Sequence, residues 1–282
     1  MTISIITATR NASAHLPQCL ASLAAQTIPC EHIIVDGAST DDTLHMVEEY
    51  RVRLASHAMK LTRVVSEPDH GLYDALNKGI GMTTGDIVGI LHADDFYPSP
   101  DTLAKVAAEF EDPAVEACYG DLLYVKPGSG DWGTATSSQQ PVTNKQPLAP
   151  GTQPPFEIVR YWRSGPYLPG KFLWGWMPPH PAFFVRRETY ERYGVFRLDL
   201  GTAADYELML RFLFRHRIRC SYIPEILVCM RVGGVSNRTV GARLRANRMD
   251  RLAWEVNGLR AYPWTLLFKP LQKIPQWWRR PA

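Results

Sequence analysis

The sequence lacks the cysteine pattern of a disulfide framework or a zinc site. Its 282 residues include five cysteines, an odd number, and no two of them form a C-x-x-C pair. Widely spaced single cysteines are typical of a protein kept in a reducing compartment, so we expect a cytoplasmic chain. The five are Cys19, Cys30, Cys118, Cys220 and Cys229.

Long apolar runs are also missing. No run of 18 or more apolar residues occurs, and the first residues lack a basic stretch followed by a long apolar one. We therefore expect neither a membrane-spanning helix nor an export signal. Hydrophobic residues make up 45% of the chain and charged residues 21%, which is typical of a soluble globular protein with a large core.

Net charge is low, at +3, but it is unevenly distributed. Residues 241–282 contain nine Lys or Arg and two acidic residues, a net charge of +7, with aromatic residues interleaved. Pro263, Pro270 and Pro275 predict only short helices there. The pattern favours equally an interfacial anchor for an anionic membrane and a terminal helix that packs on the rest of the chain or in a homodimer. Nucleic-acid binding is disfavoured, because no recognition motif accompanies the charge.

Strands and helices alternate through the first 120 or so residues. Short β-rich or apolar runs begin at Ile3, His32, Leu61 and Gly85, and segments with apolar residues at helical spacing separate them. This order predicts an α/β fold with a mostly parallel central sheet flanked by helices. The Gly, Ser, Thr, Gln and Pro content of residues 126–155 predicts a long loop.

Polar side chains follow these strands, and the adjacent pair Asp94 and Asp95 is the most prominent. In open α/β sheets, ligands bind at the carboxyl ends of the strands. Neighbouring carboxylates on an extended segment diverge, so one can hold a divalent cation while the other binds a hydroxyl. An isolated Asp-Asp pair is more typical of a solvated turn, so the assignment depends on its context. The same predicted edge carries Thr7, Thr9, Asp36 and Asp69.

Several ordered segments resemble family 2 glycosyltransferases of the GT-A fold, the inverting enzymes that use nucleotide-diphosphate sugars. The resemblance covers roughly residues 1–235 and looks closest to bacterial cell-surface polysaccharide and glycolipid transferases. The segments are SIITATRNA from Ser4, VDGASTDDT from Val35, SEPDHGLYDALNKGI from Ser66, LHADD from Leu91 and GTAADYELMLR from Gly201.

The resemblance implies a nucleotide-sugar-binding half at 1–125 and an acceptor-binding half of the same catalytic domain at 126–235. The basic aromatic tail is then 236–282. By resemblance, Asp205 is the catalytic base and Asp95 holds Mn²⁺ or Mg²⁺ against the diphosphate. The implied donor-binding residues are Thr7, Thr9, Asp36, which reads the base edge, Asp69, Asn77 and Asp94, which binds the ribose or the sugar.

Two further residues are His180, in a segment that is similar to the family pattern, and Arg231, in a segment that departs from it. His180 falls in a segment that resembles the acceptor-facing part of the family. Many members carry a metal-binding histidine near position 231, whereas this chain has Arg231. We expect Arg231 to contact the diphosphate, which leaves the third metal ligand open.

The sequence thus predicts a metal-dependent inverting glycosyltransferase that acts on a saccharide or lipid-linked acceptor at the cytoplasmic face of a membrane. One alternative is a sugar-phosphate nucleotidyltransferase, which is disfavoured because the first loop, ATRNAS, has no glycine. The other is a non-catalytic sugar-nucleotide-binding scaffold. The three aspartates Asp94, Asp95 and Asp205 argue against that alternative.

Overall fold

A computed structural model describes residues 1–55, 63–127, 156–232, 240–272 and 276. The strands are β1 (Ile3–Thr9), β2 (Cys30–Asp36), β3 (Arg63–Ser66), β4 (Ile87–Ile90), β5 (Ala117–Pro127), β6 (Phe156–Trp162), β7 (Phe183–Arg186) and β8 (Cys220–Arg231). The α-helices are α1 (Leu16–Ala24), α2 (Thr43–Ala55), α3 (Leu72–Met82), α4 (Thr102–Glu109), α5 (Arg187–Tyr193), α6 (Ala204–Met209), α7 (Val240–Val256) and α8 (Thr265–Leu271). Short 3-10 turns lie at Pro169–Trp174, His180–Ala182 and Leu198–Ala203, and a π turn, Leu210–Arg215, continues α6.

The eight described strands form one mixed sheet. Its order is β3-β2-β1-β4-β7-β5-β6, and β8 pairs with β5. The first four of these strands are parallel, β7 runs antiparallel between β4 and β5, and β8 is parallel to β5. The predicted α/β architecture with helices around a central, mostly parallel sheet is therefore confirmed. Because β1 to β4 run in one direction, the residues that follow them collect at one edge.

Apolar periodicity explains most of the packing. In α1 the residues at helical spacing, Leu16, Cys19, Leu20 and Leu23, are all buried. In α3 the expected inward face is confirmed for Ala75, Leu76 and Ile80, but Leu72 at the first position is 44% exposed. A helix's first turn can extend past the layer on which the rest of the helix packs, and the spacing rule does not show where that layer ends.

A bridge between distant segments positions the Asp94 and Asp95 turn. The turn closes with a hydrogen bond from Asp95 N to His92 O at 2.9 Å. The next residue, Phe96, exchanges two backbone hydrogen bonds with Cys229 in β8, at 3.0 and 2.9 Å. The acidic turn is thus fixed beside the end of β8, where Arg231 lies.

The described part of the C-terminal tail packs on the catalytic domain. Trp254 of α7 is 1% exposed, and its indole Nε1 donates to the Tyr206 hydroxyl at 2.9 Å. Asn257 donates to the buried Glu207 carboxylate at 3.0 Å, and the Thr265 hydroxyl donates to Leu173 O at 2.7 Å. None of the described helices combines the length and the apolar character that a membrane span requires.

The structure differs from three local predictions. The tail contains a 17-residue helix, α7, so the expectation of short helices alone is wrong; the prolines that motivated it all follow α7. The apolar spacing of residues 204–216 predicts one continuous helix, but the hydrogen bonding changes after Met209 from α to π. The predicted loop at 126–155 starts inside β5, which runs to Pro127, and residues 128–155 lie outside the described part of the chain.

The packing of α7 predicts that the tail contributes to the stability of the catalytic domain. Trp254→Ala should lower the free energy of unfolding by about 3–5 kcal/mol, because it empties a large buried site and removes a hydrogen-bond donor. Urea denaturation measures this change. Trp264→Ala, at a side chain that is 41% exposed, is the matched control and should change stability by less than about 1 kcal/mol. Equal effects of the two substitutions would contradict the packing.

Candidate active site

The loops after β1 and β2 are joined around Asp36. Its carboxylate, which is fully buried, accepts hydrogen bonds from the Thr9 hydroxyl at 2.9 Å, from Ser39 N at 2.9 Å, from the Ser39 hydroxyl at 2.5 Å and from the Ser66 hydroxyl at 2.8 Å. Burial disfavours the charged form, but these donors outweigh it and lower the pKa of Asp36. Asp36 therefore acts in this structure as an ionised anchor for three loops.

Two of the predicted donor-binding residues are occupied by internal contacts. Thr7 is fully buried and hydrogen-bonds to His32 Nε2 at 2.9 Å, which joins β1 to β2 below the edge. The Asn77 side chain donates to Phe196 O at 2.8 Å and accepts from Phe196 N at 2.9 Å. Asn77 therefore fixes the loop before Leu198–Ala203 to α3. These contacts fix both side chains in place, as those of Asp36 fix Thr9, and their roles in donor binding stay predictions.

Asp69 lies at the same edge, close to the β2 loop. Its carboxylate accepts a hydrogen bond from Gly71 N at 2.9 Å. A Cβ atom on Gly37 would come within 2.4 Å of Asp69 Oδ2, so only glycine at position 37 permits this approach. The third loop thus closes against the second, and Asp36 and Asp69 lie on neighbouring loops of one edge.

Asp95 carries a buried carboxylate with no hydrogen-bond partner on either oxygen among the described residues. The side chain is 1% exposed. Burial, and then the nearby charge of Asp94, raise the pKa of Asp95 well above its usual range, although the backbone N–H and then the guanidinium charge of Arg231 oppose the shift. A buried carboxylate with two open oxygens requires a proton or a cation.

Asp205 lies in the first turn of α6, 110 residues after Asp95 in the sequence. Its carboxylate accepts a hydrogen bond from Tyr206 N at 2.7 Å. Burial raises the pKa of Asp205, and the charges of Lys269 and His92 partly oppose that rise. A carboxylate with a raised pKa is a stronger base than an exposed one, which suits proton abstraction.

Asp95 and Asp205 act on one common side chain. Burial raises the pKa of Tyr124, and the negative charges of Asp95 and Asp205 both add to that rise. His92 connects the two sides in a second way, because it interacts electrostatically with Asp94 and with Asp205 while burial lowers its own pKa. Asp95 and Asp205, which are 110 residues apart in sequence, are therefore both near Tyr124.

His180, in the 3-10 turn before β7, and Arg231, at the end of β8, line this region. The His180 ring lies 6.0 Å from the His92 ring and packs edge-on against Phe196 at 5.4 Å. Burial, and then His92, lower the pKa of His180 to about 3, so it is neutral near pH 7. The Arg231 guanidinium donates to the Gln18 side chain and lies 5.8 Å from the Phe96 ring. It is a partly buried cation beside Asp94 and Asp95.

The side chains at this site fit a hard divalent cation only if a bound ligand supplies further oxygen atoms to coordinate it. Within the described residues, no group of three or more His, Cys, Asp or Glu side chains is arranged to hold a metal ion. The orphaned oxygens of Asp95 nevertheless provide one anionic ligand. Mg²⁺ and similar ions accept one or two carboxylates when substrate phosphates supply further oxygens. The residues therefore fit a cation that is completed by a bound diphosphate.

Among the site residues that were not predicted are His92 and Lys269. His92 belongs to the LHADD segment, and its position two residues before Asp94 could have indicated that it lies at the site. Lys269 of α8 had no such signal, since only the packing of the tail brings it to the site. Its ammonium donates to Asp250 at 2.7 Å and lies 3.7 Å from the centre of the Tyr206 ring, next to Asp205.

Known glycosyltransferases are similar to this chain in sequence. The model of the family described as "Glycosyl transferase family 2" matches residues 4–188. A relative from Mycobacterium bovis, named "PGL/p-HBAD biosynthesis glycosyltransferase", is 29% identical over 240 residues, which cover 84% of this chain and 80% of the relative.

Solved structures share the fold. S. aureus TarS 1-349 in complex with UDP-GlcNAc superposes with a TM-score of 0.64 at 19% identity, over 93% of this chain and 67% of that one. The mannosyltransferase PcManGT from Pyrobaculum calidifontis, in complex with GDP-Man and Mn²⁺, superposes with a TM-score of 0.58 at 20% identity, over 96% and 73%.

Because both Asp95 oxygens are buried without a hydrogen-bond partner among the described residues, we expect this carboxylate to destabilise the free protein and to favour binding of a cation. In the presence of a chelator, Asp95→Asn should raise the free energy of unfolding at pH 7 by about 1–2 kcal/mol, because it removes an unpartnered buried charge. Since the folded-state pKa of Asp95 is raised, its penalty is absent below the unfolded pKa of about 4 and grows as pH rises above it. Urea denaturation from pH 4 to pH 8 measures the difference.

Asp101→Asn, at an exposed aspartate before α4, is the control and should give no comparable pH-dependent gain. A destabilised Asp95→Asn variant, or a difference that does not grow with pH, would contradict the description of this carboxylate.

Proposed function

Because the chain belongs to glycosyl transferase family 2, we propose that it moves a sugar from a nucleotide-diphosphate sugar to a hydroxyl of a saccharide or lipid-linked acceptor, with inversion at the anomeric carbon. One observation carries the proposal. Asp95 and Asp205, from two distant segments, lie in electrostatic range of the same side chain, Tyr124, at the edge of the sheet. One of them has open buried oxygens and the other has a raised pKa.

The donor would lie along the loops that follow β1 to β4. Asp36 holds Ser39 and Ser66 in place, and Asp69 approaches across Gly37, so together they shape a polar edge for the nucleoside. Asp94, which is partly exposed beside Asp95, can accept hydrogen bonds from a ribose or sugar hydroxyl. The two structural neighbours are complexes with UDP-GlcNAc and with GDP-Man and Mn²⁺, which supports a nucleotide-sugar donor.

The diphosphate needs positive charge as the sugar leaves. Asp95 would hold Mn²⁺ or Mg²⁺ there, and such an ion, when bound, neutralises the charge that develops on the departing diphosphate. Arg231 supplies a second cation from β8, and the Gln18 amide and the Phe96 ring fix its position. Guanidinium groups bind phosphate oxygens in a bidentate manner, so Arg231 suits this role.

Asp205 would act as the base. Its carboxylate takes the proton of the acceptor hydroxyl as the acceptor oxygen bonds to the anomeric carbon on the face opposite the diphosphate. The bond between that carbon and the diphosphate oxygen breaks, and its electron pair stays on the diphosphate. His92, whose pKa burial lowers, is neutral near pH 7 and leaves Asp205 as the anionic base. His180 borders the same space from the acceptor side.

Two alternatives predict different products. A sugar-phosphate nucleotidyltransferase would form a nucleotide-diphosphate sugar and release inorganic pyrophosphate, and a non-catalytic scaffold would bind the donor without turnover. No observation in the structure favours either alternative over transfer.

Asp205→Asn tests the proposal. Because the variant keeps the shape of the side chain but loses its basicity, it should bind the donor within about twofold of wild type and lose about 10²–10⁴ in the rate of nucleotide diphosphate release. The assay uses UDP-GlcNAc and GDP-mannose with Mn²⁺ and with water as the acceptor, and calorimetry measures donor binding. Asp101→Asn is the control and should retain the wild-type rate.

An Asp205→Asn variant that turns over at a rate near wild type would exclude Asp205 as the base. Wild-type protein that binds these donors without releasing nucleotide diphosphate would favour the scaffold. Release of pyrophosphate from a nucleoside triphosphate and a sugar 1-phosphate, supplied in a separate assay, would favour the nucleotidyltransferase.

A further inference from the structure

An exposed group of apolar and aromatic side chains joins α8 to the turn at Pro169–Trp174. We call it the aromatic surface, and it consists of Trp174, Tyr262, Trp264, Phe268 and Leu271. Four of these are well exposed: Trp174 by 54%, Leu271 by 49%, Tyr262 by 48% and Trp264 by 41%. Single exposed apolar residues are common on protein surfaces, whereas a contiguous group of this kind marks an interaction site.

Ring contacts and hydrogen bonds hold this surface together. The Tyr262 and Trp264 rings stack at 4.8 Å with 15° between their planes, and Trp174 lies 6.4 Å from Trp264 and 5.6 Å from Phe268. The Thr265 hydroxyl donates to Leu173 O at 2.7 Å. Because these contacts order the side chains in the free protein, a partner would not have to bear the entropy of ordering them.

The composition and charge of the surface fit a lipid interface. Tryptophan and tyrosine combine an apolar ring with one polar group, and they concentrate where membrane meets water. An exposed arginine, Arg260, comes two residues before Tyr262, and the segment 241–282 carries a net charge of +7. In that segment Asp250 is neutralised by Lys269, which leaves Glu255 as the other acidic residue. A second copy of this chain would carry the same positive charge and would be repelled.

We propose that the aromatic surface binds an anionic membrane, with the rings among the lipid headgroups and the basic residues against lipid phosphates. The candidate site then lies close to the bilayer, because Lys269 of the same helix lies 3.7 Å from the centre of the Tyr206 ring, next to Asp205. A lipid-linked acceptor would reach the base from the membrane, so this part of the inference rests on the proposed function. The binding itself does not.

Sedimentation with vesicles tests the surface. Full-length protein should bind vesicles of phosphatidylcholine with phosphatidylglycerol more tightly than vesicles of phosphatidylcholine alone, and salt should weaken that binding. The double variant Trp174→Ala/Trp264→Ala should bind the anionic vesicles about tenfold more weakly or worse, since apolar area drives insertion. Arg260→Glu should weaken the same binding with both tryptophans present.

Val52→Ala is the matched control, because Val52 is 62% exposed on α2, outside the aromatic surface. It should leave vesicle binding unchanged, and circular dichroism should show that every variant is folded. Wild-type protein that ignores anionic vesicles, or a double variant that binds them as wild type does, would overturn the proposal. Self-association that the double variant abolishes, seen by sedimentation velocity without vesicles, would also overturn it by assigning the surface to a second copy.

Release of nucleotide diphosphate in solution separates this proposal from the proposed function. We expect the double variant to keep the wild-type rate without vesicles, since none of its changes touches Asp95 or Asp205. Vesicle binding by a wild-type protein that releases no nucleotide diphosphate would leave the surface standing and refute the enzyme.

Discussion

A buried carboxylate whose two oxygens have no hydrogen-bond partner within normal distance among the described residues is the constraint on which the candidate site depends. Asp95 is held inside by the bridge between Phe96 and Cys229, so its charge cannot escape to solvent. A protein tolerates such a group when something else completes it, and here the completing partners are the cation Arg231 and, by our proposal, a metal with a diphosphate. Stability of the free protein and affinity for its donor are therefore opposed at this one side chain.

The two sides of the site are built differently around the Asp95 carboxylate. On the donor side, short parallel strands bring their carboxyl ends together, and Asp36 joins the loops with ordinary hydrogen bonds. On the acceptor side, the chain returns twice: α6 presents Asp205, and α8 brings Lys269 beside it. The described part of the tail thus packs on the rest of the fold, while one of its faces is exposed and, by our proposal, binds a membrane.

Much of the fold could be predicted from local pattern. The spacing of Leu16, Cys19, Leu20 and Leu23 identifies α1, and alternating elements identify the parallel strands. The antiparallel insertion of β7 between β4 and β5 could not be predicted this way, because pairing between distant strands leaves no periodic trace. The same limit explains Asn77 and Lys269. Nothing in the sequence indicates the hydrogen bonds between Asn77 and Phe196, and Lys269 was missed because only tertiary packing brings it to Asp205.

The most direct measurement is anomalous scattering from crystals grown with Mn²⁺ and UDP. The central claim is that Asp95 and a bound diphosphate complete one cation site within reach of Asp205. It predicts a manganese peak next to the Asp95 carboxylate, with the diphosphate between the ion and Arg231. A diphosphate bound at this edge with no manganese beside Asp95, or manganese bound elsewhere, would contradict the claim.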